Sequence, residues 1–166
     1  WRTAFEKKGG IEVIHCKGYS HNKVFKEFQV PPSPNLRSIE AIWHYPSLCY
    51  FEGTPISCGR GTDAPFTLFG APWFSGYSYD AGFTTKPDHG AKHPKYEGQL
   101  CIGQFLPTDM DTAYWAINWN HLFDAYAFWK ETAPSESQEF FNAFFKKLAG
   151  SNELQGALES GMRVEE

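Results

Sequence analysis

FEGTPISCGRGTDAPF, residues 51–66, gathers a carboxylate (Glu52), an arginine (Arg60) and the hydroxyls of Thr54, Ser57 and Thr62 around Gly53, Gly59 and Gly61. Glycine tolerates positive φ and close backbone approach, so this composition specifies a tight, irregular loop. A plain turn needs neither a glutamate directly after an apolar run nor an arginine between two glycines. Ligand sites also concentrate in loops carried by rigid elements. The stretch is therefore either a long surface turn or a ligand site, and its residue types favour the site. SLCYF (47–51) reads as a strand running into Glu52. That would put the carboxylate at a strand's C-terminal end, where open sheets place their ligands.

Working outward, Pro31, Pro32 and Pro34 hold the preceding segment extended and present Ser33 and Asn35 in a stiff loop. Ser38 can cap a short helix to about Tyr45, which Pro46 ends. Further upstream, beyond the Gly9-Gly10 break, IEVIHCKGY (11–19) has apolar residues on both strand faces. This is the pattern of an interior strand covered on both sides, with His15 as a structural histidine. Residues 20–30 are mixed, with room for one helical turn.

Downstream, FTLFG (66–70), FTTK (83–86) and QLCIGQFL (99–106) read as strands, with an aromatic, glycine-rich loop over 74–82. KPDHGAKHP (86–94) reads as a loop closing over the site, with Lys92 as a polar contact. His89 and His93 are four apart, but Pro87, Gly90 and Pro94 preclude a regular helix and no further ligand completes a set, so no metal site is read. The longest helix starts at Asp109 or Asp111 and runs to about Thr132, with Trp115, Trp119, Leu122, Tyr126 and Trp129 on one face packed against the sheet. Pro134 stops it. Helices over about Ser137–Leu148, closed by Gly150, and Ser151–Ser160 complete the chain. The expected architecture is one α+β domain over residues 1–166, a mixed sheet of about five strands with helices packed on it and a helical C-terminal part.

The 166 residues are 42% hydrophobic and 17% aromatic, enough for one domain with a real core. A net charge of −4 without basic runs argues against nucleic acid or anionic membrane as partner. No apolar run is long enough to span a bilayer. The aromatic excess suggests that some rings line a groove of the kind that stacks on sugars. The four cysteines lack metal or redox spacing. Cys16, Cys49 and Cys101 read as buried free thiols, and Cys58 as a packing or loop residue rather than a nucleophile.

The runs PPSPN (31–35), YPSLCYFEGT (45–54), SCGRGT (57–62), PF (65–66) and GAPW (70–73) resemble, in order and spacing, the bacterial exo-β-N-acetylmuramidases of the NamZ family, once catalogued as a domain of unknown function. GAKHP (90–94), LCIG (100–103) and FFNAFFKKLAG (140–150) look like its Bacteroides-like version. Family members are about twice this length and carry an N-terminal Rossmann-like domain, so the resemblance assigns this chain to the C-terminal domain. It implies removal of terminal N-acetylmuramic acid from the non-reducing end of peptidoglycan fragments, without a cofactor, in an exported periplasmic or cell-envelope setting.

By the same resemblance the site lies in the cleft between two domains. The principal catalytic carboxylate belongs to the N-terminal domain, which is needed in cis or in trans. Glu52 is then a partner acid or base, or an acceptor for a sugar hydroxyl, and Arg60 has the fork geometry for the sugar's lactyl carboxylate. Ser33, Asn35, Thr54, Ser57, Thr62 and Lys92 are the remaining candidate substrate contacts. On this reading the chain alone folds but does not hydrolyse; Asp63 and Asp80 are the reserve carboxylates if it does. A non-catalytic carbohydrate-binding or interaction domain is the alternative. Phosphate binding is weaker, because SCGRGT lacks the lysine and spacing of a P-loop.

Overall fold

The computed structural model describes residues 12–23, 27–76, 81–108, 116–132 and 139–162. Helix α1 (Ile39–Leu48) starts where expected, with the Ser38 hydroxyl accepting from the Ala41 amide at 3.2 Å. It does not stop at Tyr45. Pro46 lies inside the helix, where its fixed φ is compatible and its missing N–H costs one bond near the end. The chain then tightens into a 3-10 helix, Cys49–Gly53, so the strand expected over 47–51 is helical throughout. Leu48 and Phe51 are fully buried while Cys49 and Tyr50 are half-buried, which is the three-residue spacing of a 3-10 turn rather than strand alternation. Glu52 therefore rides on a helical turn.

Strands β1 (Leu68–Ala71), β2 (Ala81–Thr84) and β3 (Leu100–Phe105) form an antiparallel sheet in the order β1-β3-β2. The fold is α+β, and its sheet, over the described residues, has three strands. Gly70 faces Gly103 across β1 and β3, and a Cβ added at Gly103 would lie 1.9 Å from the Phe69 carbonyl oxygen. Ser57 makes a single bridge to Gly70, with reciprocal bonds of 2.8 and 2.9 Å, which ties the glycine loop to the edge of β1. The strand expected over 11–19 pairs with none of the three. Residues 12–16 are exposed and without regular structure, and His15 and Cys16 are exposed with them.

Helix α2 (Asn120–Thr132) is shorter than the sequence suggested. The Asn118 carboxamide accepts from the Asn120 amide at 3.0 Å, and the Trp119 carbonyl takes the Leu122 and Phe123 amides, so the helix is capped there. Trp119 lies ahead of the first turn, and Asp109, Asp111 and Trp115 fall outside the described residues. Asn142 likewise starts α3 (Ala143–Ala149) by accepting from the Phe144 amide at 2.8 Å, and Gly150 closes it at φ 78°. Helix α4 is Glu153–Glu159.

The core lies between the sheet, the α1–3-10 unit and α2 to α4. Phe51, Phe69, Phe74, Leu122, Phe145 and Leu158 are buried there, with Phe51 and Phe69 centroids 4.9 Å apart and Phe141 and Phe145 centroids 4.6 Å apart. The 3-10 helix seats directly on α3, where a Cβ on Gly53 would come within 2.5 Å of the Phe145 Cα. Gly53→Ala is therefore expected to cost about 1–3 kcal/mol in urea unfolding, as overpacking does. Gly156→Ala, in α4 with no atom near its added Cβ, is expected to stabilise by about 0.5–1 kcal/mol.

His121 packs against Phe69 with centroids 5.3 Å apart, and Asn118 Nδ2 donates to its Nε2 at 3.3 Å. Burial, with nearby His44 as a second influence, holds the imidazole down at about 4, so the neutral ring is the folded form. The unfolded chain protonates it near 6.5, its ordinary value. Its contribution to stability is complete above that pH and is lost as pH falls toward 4. Urea titrations should show a decline on the order of 3 kcal/mol across this window, absent in His121→Phe.

Candidate functional site

A pocket of about 320 Å³ opens where the 3-10 helix, the glycine loop and the 91–95 segment meet. Glu52 comes from the first, Ser57, Cys58 and Arg60 from the second, and Lys92, His93 and Lys95 from the third. Gly59 and Gly61 take φ of 75° and 83°, and a Cβ at Gly61 would lie 2.6 Å from the Lys86 carbonyl oxygen. Those two glycines let the loop fold back so that the intervening Arg60 faces Glu52.

Arg60 Nη1 donates to Glu52 Oε2 at 3.0 Å and its Nη2 to the Gly90 carbonyl at 3.2 Å, while Nε is buried with no hydrogen-bond partner. The arginine side chain remains 38% exposed and the glutamate's 21%, so the pair lies at the pocket surface rather than beneath it. A guanidinium carries five N–H donors, and the two bonds leave others to offer a ligand.

Beneath the pair sits Lys95, which sequence reasoning missed. Its Nζ contacts four backbone carbonyls: Phe51 at 2.7 Å, Glu52 at 3.3 Å, Thr54 at 2.6 Å and Ile56 at 3.0 Å. Burial lowers this ammonium to about 8, and the converging carbonyl dipoles favour its charged form at neutral pH. Nothing local marks it, since its partners lie 39 to 44 residues away in sequence.

Of the expected contacts, Glu52, Ser57, Arg60 and Lys92 are brought together in this pocket. Thr54 and Thr62 are turn builders. Thr54 is buried, donating to the Phe51 carbonyl at 3.0 Å and accepting from the Ile56 amide, and Thr62 donates to the Gly59 carbonyl at 2.6 Å. Ser57 lines the pocket while its hydroxyl accepts from the Gly59 amide at 3.3 Å. Ser33 lines a neighbouring hollow with Arg37, Asp88 and His89. Asn35 supports the pocket from behind, with Nδ2 donating to the Gly90 carbonyl at 2.7 Å. Arg37 and Asp88, also unforeseen, form an ion pair that clasps the proline-rich loop to the 88–91 turn.

Burial pushes the Cys58 thiol up to about 12, so no thiolate is available there, in keeping with a packing role. Cys101 is buried as expected, whereas Cys49 is only half-buried. Among the described residues no Phe, Tyr or Trp lines this pocket, and many of the rings pack in the core, while Tyr126, Trp129, Phe140 and Phe141 border a separate hollow. His93 lines the pocket and His89 the neighbouring hollow.

The profile of the family described as exo-β-N-acetylmuramidase NamZ, C-terminal, matches residues 43–166. The chain belongs to this family. A relative from Bacillus subtilis, peptidoglycan β-N-acetylmuramidase NamZ, is 29% identical over 97% of the chain, which spans 41% of that protein. The crystal structure of a DUF1343 family protein from Bacteroides fragilis matches with a TM-score of 0.79 and 39% identity over 92% of the chain, again spanning 41% of that protein. The chain thus covers less than half the length of either of these two proteins.

Lys95→Met would leave four carbonyls without their shared cation. Unfolding in urea should show a loss on the order of 3 kcal/mol. Lys95→Arg should not restore it, because a planar guanidinium does not fit a cage built around a point charge.

Proposed function

We propose that this NamZ-family domain forms one wall of an active-site cleft that removes terminal N-acetylmuramic acid from the non-reducing end of peptidoglycan fragments. The other wall and the principal catalytic carboxylate come from a preceding domain. The observation that carries the reading is the charge pattern of the pocket. Among the described residues lining it, Glu52 is the single carboxylate, set against Arg60, Lys92 and Lys95. Glycoside hydrolysis ordinarily uses two carboxyl groups flanking the bond. Asp63 lines a different hollow and Asp80 lies outside the described residues, so the second is sought across the cleft.

An excess of cations suits an anionic sugar. N-acetylmuramic acid differs from N-acetylglucosamine by a lactyl ether carrying a carboxylate, which the remaining N–H groups of Arg60 can bind, with Lys92 at the rim. Glu52 Oε1 takes no part in the bond to Arg60 and is the atom offered to a sugar hydroxyl or the attacking water. In this arrangement Thr54 and Thr62 act through the shape of the loop, and Asn35 through Gly90.

The test uses a chromogenic N-acetylmuramic acid glycoside. The chain alone is expected to give no hydrolysis, and joining it to its preceding domain is expected to give turnover. In the joined protein, Glu52→Gln should reduce turnover on the order of 100-fold or more. Arg60→Lys should narrow the preference for muramic acid over glucosamine substrates by roughly 1–3 kcal/mol. Full hydrolysis by the isolated chain would overturn the division between domains. Sugar binding without turnover in the joined protein would favour a carbohydrate-binding module instead.

A further inference from the structure

Residues 12–16 are a strand by pattern and not by structure. Val13 is 66% and Ile14 88% exposed, and none of the described strands pairs with them. The chain turns at residues 17–18, where the Tyr19 amide reaches the Cys16 carbonyl at 3.3 Å, and Val30 is again 78% exposed. Among the described residues, the first hydrophobic side chain packed against the core is Leu36. Apolar residues on both faces of a strand need cover on both faces, and an exposed stretch that joins none of the three described strands is a ready addition to a sheet elsewhere.

Two boundaries locate that sheet. The family's C-terminal profile begins at residue 43, whereas the match to the Bacillus subtilis protein takes in 97% of the chain. The first 42 residues are therefore nearly all shared with that relative yet lie ahead of the family's C-terminal profile, and of these the stretch from Asn35 onward is bonded into the domain while 12–16 is not; the chain spans only 41% of that relative. The missing length lies where a strand ahead of the domain would find its neighbours.

We propose that residues 12–16 are part of a strand of a sheet in the preceding region of the full-length protein, covered there on both faces, and that they add nothing to the stability of the domain that follows. The single domain read over 1–166 is then a domain beginning near Pro31, preceded by a piece of its neighbour. The proposal shares with the proposed function the premise of a preceding domain but not its chemistry, so its test reads no activity.

Removing residues 1–30 from the isolated chain should leave its Tm unchanged to within about 2 °C. Hydrogen exchange of the amides of residues 12–16 should run at the unprotected rate in the isolated chain. In the chain joined to its upstream sequence it should slow at least about 100-fold. A Val13→Asp/Ile14→Asp pair should lower the Tm of the joined protein and leave that of the isolated chain alone. A fall of more than about 5 °C on truncation would return the segment to this domain and overturn the proposal. So would free exchange at 12–16 in the joined protein. Failure of hydrolysis with protection intact would instead count against the glycosidase reading alone.

Discussion

One ammonium group holds the site together. Lys95 Nζ gathers the carbonyls of Phe51, Glu52, Thr54 and Ile56 at the point where the 3-10 helix ends and the glycine loop begins. Carbonyls at a helix's C-terminal end have no intrahelical donor, and burying them without a partner costs several times what an ordinary surface bond contributes. A lysine is the economical answer, because one flexible chain brings three donors and a charge to a spot that no regular backbone can reach. With these four carbonyls fixed, Glu52 and Arg60 face each other, and the loop between them follows from its two left-handed glycines.

Much of the fold was legible in the sequence. Ser38 as a cap, Gly150 as a helix stop and the strands around Leu68, Phe83 and Ile102 all rest on local chemistry that the structure preserves. The errors cluster where local signals are ambiguous or overruled. Leu48 to Phe51 is an apolar run too short for periodicity to separate strand from helix, and its proline sits at a position the helix tolerates. Trp119 shares the periodic stripe of α2 but lies before it, because Asn118 caps the helix later in the chain than the pattern implied.

The candidate site shows the same division. Glu52 and Arg60 were visible as a carboxylate and a cation on a glycine loop, and the structure pairs them. Lys95, Arg37 and Asp88 were not, since each finds its partner across dozens of residues and leaves no spacing to read. The hydroxyls of Thr54 and Thr62, read as candidate ligand contacts, bond within turns, and turns and sites draw on the same residue types. Only their hydrogen-bond partners tell the two uses apart.

The Gly90 carbonyl accepts from both Asn35 and Arg60, while Arg37 and Asp88 bind the same two loops a few residues away. The segment by which the chain arrives in the domain is thereby bolted to the rim of the pocket. Rotation between this domain and whatever precedes it has no hinge available between residues 33 and 37 without breaking those bonds. In the proposed cleft, opening and closing pivot upstream of residue 33, and the Arg60 rim travels with the domain as a rigid jaw.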